Sequence, residues 1–147
     1  MEMKINSDII QNKYGTWIDT GSPHLVIEKE STDKLDVNLE GSSIRYNDHY
    51  KREGVNVNFV EKLSDETFKI RTYERGVENE TLACGTGSTA SAICMSYLGK
   101  SNSNIITMKC QGGDLKVQFN SKDKDFTNIS ITGPANLVFE GQIDIKI

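Results

Sequence analysis

The chain has 147 residues, 36% of them hydrophobic, with 2 Pro, 3 Cys and a formal net charge of −4 from 17 Lys and Arg against 21 Asp and Glu. At that length about 70% of the unfolded surface can be buried, so a single domain with a real core is expected without disulfides or a structural metal. The acidic balance, with no basic run longer than Lys51-Arg52, speaks against a reader of nucleic-acid phosphates, and no apolar run approaches the roughly 18 residues that a membrane-spanning helix needs.

The opening residues, MEMKINSDII, alternate polar and apolar and show no secretion-signal core. Trp17-Ile18 and Leu25-Val26-Ile27 flank a Gly21-Ser22-Pro23 turn and read as strands. A helix is expected over roughly Leu39 to Tyr46, followed by a surface loop that carries His49. Val55, Val57 and Phe59 alternate with polar residues, as do Phe68, Ile70 and Thr72, which marks strands with one buried face. Cys84 to about Leu98 breaks the pattern. Its apolar residues point in every direction on a helical period, so it is expected as a helix buried all round, stopping at Gly99. Cys110 ends a strand before the Gly112-Gly113 turn. Leu115, Val117 and Phe119 follow, then a charged turn over Ser121 to Asp125. Ile129/Ile131 and Ile143/Ile145/Ile147 repeat the period of two. The expected class is α+β, mostly strands curled as a barrel-like sheet around one central helix. That arrangement puts the helix start, Cys84-Gly85-Thr86-Gly87, where other elements converge.

Cys84, Cys94 and Cys110 are an odd count at irregular spacing, with no CxxC pattern and neither His24 nor His49 at ligand spacing from them. A reduced, cytoplasmic protein with no metal is expected, Cys94 and Cys110 being core residues. A cysteine at the first turn of a helix lies beside unpaired N–H groups and the positive end of the helix dipole. Such a site favours the thiolate below the ordinary thiol value of ~8.5. Gly85 and Gly87 leave room for an anion such as a carboxylate at those N–H groups. A small buried residue in a tight strand-to-helix turn explains Cys84 equally well.

GTGSTA also fits the dinucleotide fingerprint. Polar residues 78–81 separate it from the preceding strand, however, and Asn104 to Thr107 fills the window where an acidic residue is needed, so no nucleotide site is expected. In Glu74-Arg75-Gly76, Arg75 suits a carboxylate and Glu74 an ammonium group. Neighbours on a strand point to opposite faces, so one of the two must turn to share a ligand. Taken alone, they are also an ordinary solvated pair, and Ser22, His24 and Asn56 read as turn and strand polar residues.

From Tyr73 to Ala90 the string YERGVENETLACGTGSTA resembles the second catalytic motif of the diaminopimelate epimerases, cofactor-independent isomerases of lysine and cell-wall biosynthesis. TGSPHLVI (20–27), GVNVNFVE (54–61) and the ending GPANLVFEGQIDI are similar to further family segments in the same order. The resemblance implies interconversion of LL- and meso-2,6-diaminopimelate by two cysteines on opposite faces of the α-carbon, with no pyridoxal phosphate or other cofactor. On this resemblance Cys84 is the second cysteine. Glu74 and Arg75 hold the substrate's amino and carboxylate groups, Gly85 and Thr86 offer amides to the reacting carboxylate, and Asn56 binds substrate. His24 is retained, whereas Ser22 stands where the family usually has Asn. One residue more than the usual spacing between Arg75 and Cys84 is expected in the 76–81 loop.

The resemblance also implies a first half, bearing the other cysteine in a Cys-Gly-Asn-Gly context, with no counterpart in residues 1–147. The whole chain is therefore expected to be a C-terminal domain, with the last strand, about residues 142–147, returning to an N-terminal domain supplied in cis or in trans. Homodimerisation through the apolar edge of Ile143, Ile145 and Ile147 is expected in its absence. Alone, the chain is expected to fold but to turn over poorly, because one thiolate hands a proton back to the face it came from. The alternatives are another isomerase of the same architecture, proline-racemase-like or phenazine-biosynthesis-like, and a non-catalytic ligand-binding or interaction domain.

Overall fold

The computed structural model describes residues 2, 3, 5 and 8–145. Among these, the strands are β1 (Glu2–Met3), β2 (Ile10–Asn12), β3 (Gly15–Asp19), β4 (Pro23–Glu28), β5 (Asn56–Lys62), β6 (Thr67–Glu74), β7 (Asn79–Thr81), β8 (Ile105–Cys110), β9 (Gly113–Lys122) and β10 (Asp125–Thr132); the helices are α1 (Val37–Arg45) and α2 (Gly85–Tyr97). All strands join one sheet in the order β1-β10-β9-β8-β6-β5-β4-β3-β2, with β7 pairing β6 past the point where β8 leaves it. Only β4–β5 and β6–β8 are parallel, and each of these connections carries a helix, as a parallel crossover requires.

Alternation along the strands builds two cores. On β5, Val57 and Phe59 face outward beneath α1 with Val37, Val55 and Tyr73, while Val60 faces inward with Ile18, Phe68, Ile70, Ile106 and Phe119. The curled sheet wraps α2, which touches β3, β4, β5, β6, β8, β9 and β10. Residues Gly87 to Met95 of this helix are all buried, as a helix without charged residues must be. Removing a side chain such as Phe68, fully buried in that core, is expected to cost ~3–5 kcal/mol. The helix stops where expected: Gly99, at φ +70°, donates to Ser96 O at 3.0 Å, and Lys100 N–H to Met95 O at 2.8 Å. This crossed pair satisfies carbonyls that the helix leaves open.

The fold class agrees with the expectation, with α1 added on the outer face of the sheet. Two expectations need correction. The first helix begins two residues earlier than the sequence pattern suggested, at Val37, because Asp36 caps it and Val37 packs into the outer core. The last strand, expected over about 142–147 as a return to an N-terminal domain, is not a strand over residues 142–145, and residues 146–147 lie outside the described residues. Residues 133–145 have no regular secondary structure, and Leu137, Val138, Phe139, Ile143 and Ile145 are each at least 78% exposed. Alternation marks which residues can share a face, but a strand also needs a neighbour to take its hydrogen bonds.

Candidate functional site

The site begins at the start of α2. Leu82 O accepts from Gly112 N–H at 2.8 Å, which ties the entry of the helix to the β8–β9 turn. Cys84 is the N-cap in an extended conformation, its Sγ accepting from Gly87 N–H at 3.4 Å and lying 3.5 Å from Thr86 Oγ1. A Cβ on Gly87 would come within 2.4 Å of Asn58 Oδ1, so only glycine lets this turn lie against β5. The N–H groups of Gly85 and Thr86 sit in the first turn, where a helix has no partner of its own for them.

A polar chain runs behind the cysteine. His24, fully buried on the inner face of β4, has Nε2 at 3.0 Å from Thr86 Oγ1 and Nδ1 at 3.0 Å from Asn58 Nδ2. Asn58 Oδ1 accepts from Thr72 Oγ1 at 3.0 Å, and Thr20 Oγ1 donates to Thr86 O at 3.1 Å. Burial drives the imidazole down to about 4; Asp19 opposes the shift and the Arg75 charge adds to it. His24 is therefore neutral at physiological pH.

Asn56 works as a clamp. Its amide donates to Ser22 Oγ at 2.8 Å and Pro23 O at 2.9 Å, and its oxygen accepts from Arg75 N–H at 2.8 Å. The Arg75 guanidinium donates to Glu53 O at 2.8 Å and Ser22 Oγ at 3.4 Å. A Cβ on Gly54, at φ +78°, would come within 2.6 Å of Arg75 Cδ, so the guanidinium passes where only glycine leaves room. Glu74 ends β6, two residues along the same face from Thr72, and its half-buried carboxylate has no hydrogen-bond or salt-bridge partner among the described residues. The strand stops at Glu74 and the chain turns at Gly76, φ +94°, which frees Arg75 from pointing away from it. Glu78 pins this turn from φ +57°, accepting from Gly76 N–H at 3.1 Å, Tyr73 OH at 3.1 Å and Arg45 Nε at 3.3 Å.

Sequence reasoning thus named Cys84, Gly85, Thr86, His24, Asn56, Glu74 and Arg75, and the fold brings them to one end of α2. It missed Asn58, Thr72, Thr20 and Glu78. A signal for the first two existed, since each is polar two positions from an apolar inward residue of its strand, Asn58 from Val60 and Thr72 from Ile70. One expectation is reversed: the Cys84 thiol is pushed up rather than down. Burial outweighs the hydrogen bonds from Thr86 and Gly87, and the Glu74 charge adds to the upward push. Cys94 is a core residue as expected, and half-buried Cys110 lies 3.6 Å from Ser88 Oγ. Chemically, a half-buried thiol at a helix start feels the charge of an open carboxylate, and the Arg75 charge reaches His24 behind it; a carboxylate and a guanidinium at one helix end are groups that can grip the ammonium and carboxylate of a zwitterion.

Residues 16–138 match the family model described as diaminopimelate epimerase. The chain is 49% identical over 143 residues to the diaminopimelate epimerase of Flavobacterium psychrophilum, covering 97% of this chain and 56% of that protein. To the enzyme of the same name from a Hydrogenobaculum species it is 44% identical over 144 residues, covering 94% and 50%. The chain thus spans about half the length of the curated relatives it matches. Among solved structures, a phenazine biosynthesis protein of the PhzF family from Enterococcus faecalis superposes with a TM-score of 0.53 at 18% identity over 84% of this chain and 42% of that one, a likeness of fold alone.

Proposed function

The chain belongs to the diaminopimelate epimerase family, and on that premise we propose that it supplies the Cys84 half of an active site that interconverts LL- and meso-2,6-diaminopimelate without a cofactor. The observation that carries this reading is the Cys84 sulfur at the start of a buried helix, beside a Glu74 carboxylate that has no partner among the described residues.

The α-proton of an amino acid is very weakly acidic, so its removal needs donors aimed at the carboxylate where negative charge develops. The Gly85 and Thr86 amides and Arg75 are those donors. Glu74 takes the substrate ammonium. That contact also neutralises a charge that raises the Cys84 thiol, so substrate binding moves the sulfur toward the thiolate it needs as a base. Asn56 acts by holding Arg75 and the Ser22-Pro23 segment in place.

Inversion needs an acid on the opposite face of the α-carbon, and the reading assigns it to a thiol of an N-terminal half, in cis or in trans. The exposed apolar segment 133–145 supports a contact with that half, with a second copy of this chain as the alternative occupant. A reducing cytoplasm suits three free cysteines.

Exchange of the α-hydrogen of both diaminopimelate isomers in heavy water tests the proposal, using the chain alone and with the N-terminal half of the Flavobacterium relative. Exchange is expected only with the added half. No exchange in either mixture overturns the epimerase reading, and efficient epimerisation by the chain alone overturns the division of the site.

A further inference from the structure

The hydrogen bonds behind Cys84 admit only one direction. Leu25 O, which can only accept, lies 3.4 Å from Asn58 Nδ2 and so orients the amide, leaving Asn58 Oδ1 to accept from the Thr72 hydroxyl. The amide nitrogen, a donor, therefore meets His24 Nδ1, which must be the bare nitrogen of the ring. The single proton of the neutral imidazole is then on Nε2 and points at Thr86 Oγ1. Having accepted there, the Thr86 hydroxyl turns its own hydrogen elsewhere, and the sulfur of Cys84 lies 3.5 Å away.

We propose that Asn58 and Thr72 are positioning residues for Cys84: by holding His24 in its Nε2–H form, they aim the Thr86 hydroxyl hydrogen at the sulfur. Register makes this possible, because Thr72 pairs with Asn58 across β5–β6 and His24 shares the inner face of the adjoining parallel strand. The sulfur then has the Thr86 hydroxyl as a donor beside the Gly87 and Thr86 N–H groups, and together they counter the upward push of burial and favour the thiolate once it forms. The other titratable or charged groups facing it are Glu74 on β6 and Cys110 on β8. The inference rests on Cys84 being the reacting thiol, but its test reads the thiol and the imidazole directly, without turnover. Failure here leaves the epimerase reading standing, and failure of hydrogen exchange leaves the relay standing.

Two measurements on the full chain decide it. With His49→Gln leaving a single imidazole, nitrogen NMR of His24 is expected to show a protonated Nε2 and a bare Nδ1, and Asn58→Asp is expected to swap them. Site-resolved alkylation of Cys84 by iodoacetamide is expected to move its midpoint up by about one pH unit in Thr86→Val, making the reaction about tenfold slower near neutrality, and to return in Thr86→Ser. A wild-type ring protonated on Nδ1, an unmoved midpoint in Thr86→Val, or no rescue by Thr86→Ser would each overturn the proposal. Should Asn58→Asp fail to fold, the wild-type ring and the Thr86 pair still give the answer.

Discussion

Helices α1 and α2 each open with a side chain that accepts the N–H three residues on: Asp36 Oδ1 takes Leu39 N–H at 2.9 Å, and Cys84 Sγ takes Gly87 N–H at 3.4 Å. Asp36 is among the best caps available, lies exposed, and is backed by Glu40 in the first turn and Arg45 in the last, both complementing the helix dipole. The start of α2 has no acidic residue, a weaker cap, and a sulfur lodged between burial and an open carboxylate. At α1 the helix terminus is satisfied for stability. At α2 it is left short of partners, and that shortage is what a ligand carboxylate can fill.

The largest effect that would sharpen this contrast is on chemistry. With an N-terminal half supplied, Cys84→Ser is expected to lower α-hydrogen exchange at least ~100-fold, the scale of a lost proton-transfer group, while Asp36→Ala leaves exchange unchanged. Equal losses from both would erase the distinction between the two helix starts.

The next effect is on stability against pH, and belongs to the α2 side only. The folded His24 value of about 4 lies below its ordinary 6.5, so the unfolded chain binds the extra proton between them. Stability from this group is complete above the ordinary value and declines as pH falls toward the folded one. Between roughly pH 7 and pH 5.5 about 1 kcal/mol is expected to be lost in urea unfolding, and His24→Gln should flatten that slope. A wild-type curve as flat as that of the variant would mean the imidazole is not buried neutral.

Asp36→Ala is expected to cost ~1 kcal/mol in the same unfolding assay, with the Cys84 alkylation profile unmoved. The smallest effect runs the other way: serine is a better cap than cysteine, so Cys84→Ser is expected to add a few tenths of a kcal/mol. A clear loss of stability in that variant would mean that the sulfur itself holds the turn together.

Much of the fold could be read along the chain. Periods of two at Phe68/Ile70 and Leu115/Val117/Phe119 and the all-round apolar run from Ala90 to Leu98 are local facts, and they became β6, β9 and α2. Three short strands, β1, β2 and β7, went unread because two or three residues carry no period. The tail 143–145 carries the period but lacks a described neighbour. In the site, motif strings located Cys84, Glu74 and Arg75. The direction of the Cys84 thiol was misjudged, because the helix-start effect is local whereas burial and the Glu74 charge come from elements that the spacing does not place.

Which residues alternate along a strand, the span of the buried helix, its stop at Gly99 and the residue types gathered at its start all follow from neighbours a few positions apart, whereas that both faces of β5 are buried does not. Tertiary structure alone decided that Thr72 meets Asn58, that Asn58 meets His24, and that His24 reaches Thr86 beside the sulfur. These contacts depend on strand register, and hydrogen bonds fade within a few tenths of an ångström of their proper length, so no shorter stretch of chain than the assembled sheet could set them.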